Sequence, residues 1–417
     1  MATFLSKPVT LSIAPATPAP SWVKSLTGGG AWAEITNSPV MRAWVGANIS
    51  PSSGYTGYGP IESIREGYNS PIFDPVAKKF ALFGGGHGSG SINAVVTFDP
   101  ATLSYAIPVP PTPPSKYPPL FASSAGALTY PSGSSNGFFQ SIATLTDATD
   151  LPYAAPFAAR PASHVYQAAS FANGIFSIHY NSVGNADANL GIWTYLNINP
   201  YGSQLLALRA AYDGSAALQQ GTKCVYDPLL GKDWVTNVAG DIGDNGRGHL
   251  LLVDRITHVI EAAIKVDIDS QGVICIAGDH VYVFAPSYKS GGVMVFDYGM
   301  RVHRFTRAVE YLRFSGPSLP TMTPTSVRQE TVPIFFDGTN IRFWNYGNAA
   351  DIDAFYILNL TPTGNVGGWL TMAVTREQRA TSNMPTPAFT YTVDFIPDWG
   401  VAMILPDSNS RWWAIKI

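Results

Sequence analysis

Short apolar runs separated by polar turns dominate this chain. Between residues 72 and 107 four such runs follow one another, with Asp74-Pro75, a glycine cluster and Asp99-Pro100 between them. Apolar runs of this length that are bounded by Gly, Pro and Asp are typical of β-strands joined by turns. The stretch predicts one four-stranded antiparallel meander of about 50 residues, which needs similar neighbours to bury both of its faces.

Turn markers of the same kind recur along the rest of the chain. They lie at positions 172, 227, 278, 337 and 397, a spacing of 51–60 residues, and each stands between two apolar runs. A period of this size built from β-meanders indicates a β-propeller. Second turns are predicted at Asp99, Asp254, Asp297 and Asn359. The predicted blades cover residues 64–109, 164–208, 221–266, 271–309, 329–374 and 388–417.

The step from Asp74 to position 172 is nearly twice as long as the others. Residues 108–119 read PVPPTPPSKYPP, and prolines cannot donate the hydrogen bonds of a β-ladder. We therefore interpret residues 108–160 as a Pro-rich insertion, which gives an all-β, closed propeller of six four-stranded antiparallel blades. A blade hidden in this segment would make seven.

The two ends of the propeller are predicted to pair with each other. Residues 411–417 resemble a third blade strand, and residues 31–35 resemble the outer strand that this blade lacks. Their pairing would remove an unpaired sheet edge and bury both terminal tryptophans. The residues predicted to close the ring are Trp32, Ile35, Trp412, Trp413 and Ile415.

Composition and charge exclude several classes of partner. Charged residues make up only 13% of the chain and the net charge is −3, which gives no reason to expect nucleic acid. Runs of 18 apolar residues are absent, so membrane insertion is not expected. Residues 1–8 lack the pattern of a signal peptide, which predicts synthesis in the host cytoplasm. Residues 1–20 are interpreted as an extended arm before a propeller of residues 21–417.

Residues 81–105 carry a family resemblance. The run from Ala81 to Gly88 with Asn93, Asp99 and Tyr105 resembles a kelch repeat, closest to the galactose-oxidase-like kelch propellers of bacteria and tailed phages. The resemblance implies a propeller of six or seven blades, but no single activity, because kelch propellers serve as enzymes, adaptors and virion parts. It implies a structural role for Gly84, Gly85, Gly86, His87, Gly88, Asn93, Asp99 and Tyr105.

No catalytic, cofactor-binding or metal residue is predicted from the sequence. A copper radical oxidase needs two tyrosines, two histidines and a cysteine cross-linked to one tyrosine, and the seven histidines here are too scattered for such a set to be mapped. Cys224 and Cys275 stand in apolar, strand-like runs and are interpreted as buried thiols, with a disulfide as the alternative.

The expected function is therefore that of a non-catalytic structural or interaction propeller. The sequence favours a tailed-phage virion component (a tail, fibre or decoration protein), with other virion proteins and further copies of the chain as partners. The alternatives are a galactose-oxidase-like oxidoreductase and a stand-alone carbohydrate-binding propeller. For the last, the candidate glycan contacts are aromatic residues near predicted loops, namely Tyr288, Trp344 and Tyr346.

Overall fold

The computed structural model describes most of the strand-forming part of the chain. The described residues are 18–26, 30–48, 70–83, 95–109, 169–179, 192–199, 202–208, 223–237, 248–257, 259–266, 272–289, 293–319, 333–345, 353–379, 385, 393–407 and 409–417. Among them, two short helices flank the first strand near the N-terminus: α1 (Ser21–Ser25), β1 (Ala33–Glu34) and α2 (Met41–Asn48).

Together with β1, the other strands of the described ranges form six four-stranded units in chain order. Unit I contains β2 (Ile72–Asp74), β3 (Lys79–Phe83), β4 (Val95–Asp99) and β5 (Ser104–Val109). Unit II contains β6 (Ala169–Ala172), β7 (Ile175–Ile178), β8 (Ile192–Asn199) and β9 (Gly202–Leu208). Unit III contains β10 (Cys224–Asp227), β11 (Lys232–Asn237), β12 (His249–Val253) and β13 (Ile260–Lys265).

The second half of the chain continues the series. Unit IV contains β14 (Val273–Ala277), β15 (His280–Lys289), β16 (Val293–His303) and β17 (Val309–Ser315). Unit V contains β18 (Ile334–Phe336), β19 (Asn340–Asn345), β20 (Ala354–Val366) and β21 (Trp369–Gln378). Unit VI combines β22 (Asp394–Ile396), β23 (Val401–Ile404) and β24 (Trp413–Lys416) with β1.

Each unit is antiparallel, and the units follow one another in space as they do in sequence. The first strands of successive units, from β2 to β22, contact each other in order. Units IV and V are also joined through a parallel pair, β17 with β21, which runs from Tyr311↔Trp369 to Ser315↔Ala373 and makes one eight-stranded sheet. The architecture is all-β and propeller-like.

Residues 31–35 and 411–417 pair as the sequence predicts. Ala33 lies opposite Ala414, and the Ile35 amide donates to the Trp412 carbonyl over 2.8 Å. Trp412 is fully buried, stacks on Phe98 at 4.6 Å, and donates through Nε1 to the Tyr105 hydroxyl over 2.8 Å. Unit VI therefore shares one apolar core with unit I.

One detail of this closure was predicted wrongly. Trp413 is only partly buried, because adjacent residues of an extended chain point to opposite sides. Trp412 faces unit I, whereas Trp413 packs against a second cluster that contains Trp32 and Phe335.

Aspartates cap five of the tight turns in the described residues. Asp74 accepts hydrogen bonds from the amides of Val76 and Ala77 over 2.7 and 2.8 Å. Equivalent pairs of amides donate to Asp99, Asp227, Asp254 and Asp337. Such Asx turns fix the backbone locally, which explains why the turn spacing is legible in the sequence.

The second turns of units IV and V lie later than the sequence predicts. Asp297 stands inside β16 and Asn359 inside β20, and the turns follow His303 and Val366 instead. The Nδ1 atom of His303 accepts from the amides of Phe305 and Thr306, both over 3.2 Å, so an imidazole takes the place that a carboxylate holds elsewhere.

The helices were not predicted, because each is too short to show a clear helical period. Trp22 of α1 donates through Nε1 to the Pro100 carbonyl over 2.7 Å, and its ring meets Trp399 edge-on at 5.9 Å. Met41 and Val45 of α2 are buried in the core shared by units I and VI. Neither helix in the described part of the chain is long and apolar enough to span a membrane.

Candidate functional site

One face of the molecule carries the turns that join the first to the second strand and the third to the fourth strand of each unit. In an antiparallel unit these two kinds of turn lie at the same end. We call this the turn face, and it comprises residues 74–79, 99–104, 172–175, 227–232, 253–257, 259–260, 277–280, 303–309, 337–340, 366–369 and 396–401.

Contacts between neighbouring turns show that the units share this orientation. The Gly174 amide donates to Asp74 of unit I over 3.2 Å. Arg255 of unit III donates to the Ala172 carbonyl of unit II over 3.0 Å. Lys78 of unit I lies 3.7 Å from a carboxylate oxygen of unit VI, and the parallel strand pair aligns units IV and V.

The best-buried ion pair of this face joins units III and IV. Arg304 donates through Nε to Asp227 Oδ2 over 2.7 Å, makes a second bond to Oδ1, and also binds the Gly278 carbonyl. Trp234 donates to the same carboxylate over 3.0 Å. Burial alone would raise the pKa of Asp227, but the bonds from Arg304 and Trp234 outweigh it and hold the pKa below its usual value.

The turn face exposes several apolar side chains to solvent. Of the eight large exposed apolar residues in the described part of the chain, five lie in the turns themselves and three stand in strands close to such a turn. They are Val76, Leu229, Ile256, Val259, Ile260, Phe305, Tyr311 and Val366. Exposed apolar side chains on one face are suited to contact with another protein.

Three aromatic rings form a group where units IV and V meet. Tyr311 lies 5.0 Å from Trp369 between ring centres, and Tyr298 meets Trp369 edge-on at 6.1 Å. Trp369 is partly exposed and is the first residue of β21, the second strand of the long β20–β21 hairpin. Partly exposed aromatic groups suit contact with sugar rings or with another protein.

A polar cluster is buried between units II and III. His179 Nε2 lies 2.6 Å from Asp233 Oδ2, and the Ser170 hydroxyl donates to the same oxygen over 2.6 Å. Ser170, His179 and Asp233 are essentially inaccessible to solvent, while Cys224 is partly exposed. Donor atoms of His179, Cys224 and Asp233 lie within 4.8 Å of one another, the one such metal-compatible group among the described residues.

The cluster is not arranged for nucleophilic catalysis. A serine triad places the imidazole between the nucleophile and the carboxylate. Here the carboxylate of Asp233 stands in the middle and accepts from both Ser170 and His179. Burial raises the pKa of Cys224 well above its usual value, and the charge of Asp233 adds to the shift, so the thiol is protonated.

The structure places several of the sequence-predicted residues in structural roles. Asp99 caps a turn, and the Tyr105 hydroxyl holds Trp412. Trp32 donates through Nε1 to Asp353 over 3.0 Å, while Ile35 and Ile415 are buried. Gly84, Gly85, Gly86, His87, Gly88 and Asn93 lie outside the described residues.

The prediction that Trp344 is an exposed glycan contact is wrong. Trp344 is 1% exposed, and its Nε1 donates to Asp353 over 3.0 Å beside Trp32, because the indole fills the core between units V and VI. Tyr288 lies in β15 opposite Met294, and Tyr346 lies outside the described residues.

Both cysteines carry free thiols, so the disulfide alternative is wrong. Cys224 lies in β10 and Cys275 in β14, the first strands of two neighbouring units. Cys275 is buried, and burial raises the pKa of its thiol to about 12.

Comparisons with known proteins give no family for this chain. No protein-family model matches it, and no curated protein matches it. Among solved structures, one described as the crystal structure of the mitotic checkpoint complex is similar with a TM-score of 0.37 and 10% identity, over 100% of this chain and 98% of that one.

Proposed function

We propose that this chain is a closed, six-bladed, kelch-like β-propeller that binds other proteins through its turn face and performs no catalysis. In this proposal it is a virion component of a tailed phage, with further copies of itself and other virion proteins as partners. The observation that carries the binding role is the set of exposed apolar side chains on the turn face.

The blade number is supported by the way in which the units meet. Six four-stranded units follow in order, and the pairing of β1 with β24 completes the last of them. Trp412 of unit VI packs on Phe80 and Phe98 of unit I, which joins the last unit to the first. The virion role rests on the sequence resemblance of residues 81–105 to phage kelch propellers.

The turn face suits assembly better than chemistry. Several of its charged groups are engaged in structural bonds, such as Arg304 with Asp227 and Arg255 with the Ala172 carbonyl. It also presents apolar side chains to solvent, including Val259 and Phe305, each about half exposed. A partner that covered these side chains would remove apolar area from water, at about 25 cal/mol per Å².

The experiment replaces the chain in the phage that encodes it with a variant carrying Val259→Ser and Phe305→Ser. Both positions are exposed, so the purified variant should keep the wild-type melting temperature. We expect purified phage particles to contain the wild-type chain, and to contain much less of the double variant. Thr375→Ala, exposed in β21 away from the hairpin tip, is the matched control and should assemble normally.

Two results would contradict the proposal in different ways. Absence of the wild-type chain from purified particles would refute the virion role but leave the binding role open to a pull-down test. Normal assembly of the double variant would refute the turn face as the docking surface.

Carbohydrate binding is the second candidate, and the aromatic group of Tyr298, Tyr311 and Trp369 favours it. Partly exposed rings of this kind can stack on the apolar faces of sugars. A glycan array probed with purified protein should then give signals that Trp369→Ala abolishes and Thr375→Ala does not. An array without signals for the wild type would reject this candidate.

A further inference from the structure

We propose that His179, Cys224 and Asp233 form a zinc-binding site between units II and III. The three residues come from separate places in the chain: His179 follows β7, Cys224 begins β10, and Asp233 lies in β11. The fold brings their donor atoms within 4.8 Å of one another. A bound ion would cross-link two neighbouring units from the inside.

The donor chemistry selects the type of ion. The site offers one imidazole nitrogen, one sulfur and one carboxylate oxygen. Calcium and magnesium require oxygen ligands, whereas zinc accepts nitrogen, sulfur and oxygen together. Three protein ligands leave a fourth position of the zinc tetrahedron for water.

Two buried atoms of the cluster lack a hydrogen-bond partner. They are Nδ1 of His179 and Oδ1 of Asp233, and both side chains have no solvent-accessible surface. Buried polar atoms are almost always satisfied, and those that are not often mark a missing ion or water. A cation beside Asp233 would supply the interaction that its second oxygen lacks.

The cluster also contains the outer support that metal ligands need. The Ser170 hydroxyl donates to Oδ2 of Asp233 and so fixes the orientation of the carboxylate. Hydrogen bonds of this kind to ligating side chains raise metal affinity. Arg255, whose charge acts on Cys224, donates to the Ala172 and Ile175 carbonyls, and its guanidinium lies 4.1 Å from the centre of the Tyr226 ring.

Zinc binding requires a small rearrangement of the cluster and the loss of the thiol proton of Cys224. The 2.6 Å between His179 Nε2 and Asp233 Oδ2 is a hydrogen-bond distance, shorter than the separation of two ligands on one tetrahedral zinc. The ion therefore disrupts this hydrogen bond, and the thiol proton of Cys224 passes to solvent as the Zn–S bond forms. Cys224 is the least buried of the three proposed ligands.

The test measures metal content of the full-length protein directly. The chain is purified without chelator, loaded with zinc chloride, and dialysed against metal-free buffer before elemental analysis. We expect one zinc ion per chain in the wild type, and loss of the ion in Cys224→Ser and in His179→Gln. Cys275→Ser removes the other buried thiol, lies outside the cluster, and should retain zinc fully.

Cobalt provides a second measurement that works on the wild type alone. Co²⁺ titrated into the zinc-free protein should produce the thiolate-to-cobalt charge-transfer band, which reports sulfur ligation. Zinc should also raise the melting temperature of the wild type and of Cys275→Ser, but not of Cys224→Ser. This comparison holds even if a variant is less stable than the wild type.

Three outcomes would overturn the proposal. The first is a wild type that retains no zinc after dialysis. The second is a cobalt titration without a thiolate band. The third is equal zinc retention by the wild type, Cys224→Ser and His179→Gln, which would place the ion elsewhere in the chain.

Discussion

At the scale of single residues, two buried aspartates have pKa values that are shifted in opposite directions. The pKa of Asp227 is lowered, because its bonds from Arg304 and Trp234 outweigh the effect of burial. The pKa of Asp353 is raised by burial, and the bonds from Trp344 and Trp32 offset only part of this. The first carboxylate is therefore stabilised in its ionised form, and the second is not.

Asp227→Ala should destabilise the fold by about 3–5 kcal/mol, because it leaves buried Arg304 without its partner. The stabilisation by Asp227 is present at neutral pH and is lost as the pH falls through its lowered folded-state pKa. Urea denaturation of both proteins from neutral to acidic pH would measure this. Glu34→Ala, at the exposed pair with Arg411, is the control and should cost about 0–1 kcal/mol.

Asp353→Asn should change the pH dependence in the opposite direction. The Asn side-chain oxygen can still accept from Trp32 and Trp344, but it carries no charge. The wild type bears the penalty of a buried charge at neutral pH, and this penalty is relieved as the pH falls through the raised folded-state pKa. The wild type should thus gain stability relative to the variant on acidification. Parallel curves of unfolding free energy against pH for the two proteins would contradict this.

At the scale of elements, the sequence predicted strands and turns well where a local rule operates. Asp74, Asp99, Asp227 and Asp254 each bind the backbone two and three residues ahead, so their spacing is visible in the sequence. His303 replaces the aspartate in one turn, and that turn was misplaced.

Trp412→Ala should cost about 3–5 kcal/mol, because it empties a fully buried site and removes the bond to Tyr105. Trp413→Ala, one residue later and partly exposed, provides the matched comparison and should cost clearly less. Equal losses of unfolding free energy for the two variants would argue against Trp412 as the centre of the closure.

Gly316 directly follows β17, next to the parallel pairing of β17 with β21. Its φ is +101°, and an added Cβ would stand 2.3 Å from the Val374 carbonyl oxygen. Gly367, at the tip of the β20–β21 hairpin, has φ of +62° but open space around it. Positive φ alone costs a larger residue about 1–3 kcal/mol at either position. At Gly316 the clash with Val374 adds to this cost, so Gly316→Ala should lower the melting temperature more than Gly367→Ala does.

At the scale of the whole molecule, the repeat spacing was sufficient to predict the pairing of distant ends. It could not reveal the cluster of His179, Cys224 and Asp233, because these residues come from two units and follow no local spacing. Trp344 was misjudged for a related reason, since an aromatic near a predicted loop can equally belong to the core between two units. Contacts between units carry no short-range sequence signal.

Deletion of residues 411–417 should affect the molecule as a whole. It removes β24, so β23 gains an open edge and β1 loses its partner. Open strand edges pair with other chains. We expect the shortened protein to melt at a lower temperature and to form larger species in light scattering, whereas a monodisperse monomer of wild-type stability would contradict the closure.

The parallel pair between β17 and β21 also bears on stiffness. Because backbone hydrogen bonds cross from unit IV to unit V, these two units cannot hinge against each other without breaking a β-ladder. At the boundaries where neighbouring units touch mainly through side chains, small tilts cost less. We therefore expect relative motion of neighbouring units at the other boundaries rather than between units IV and V. The backbone amides of β17 and β21 should exchange with deuterium more slowly than those of other outer strands.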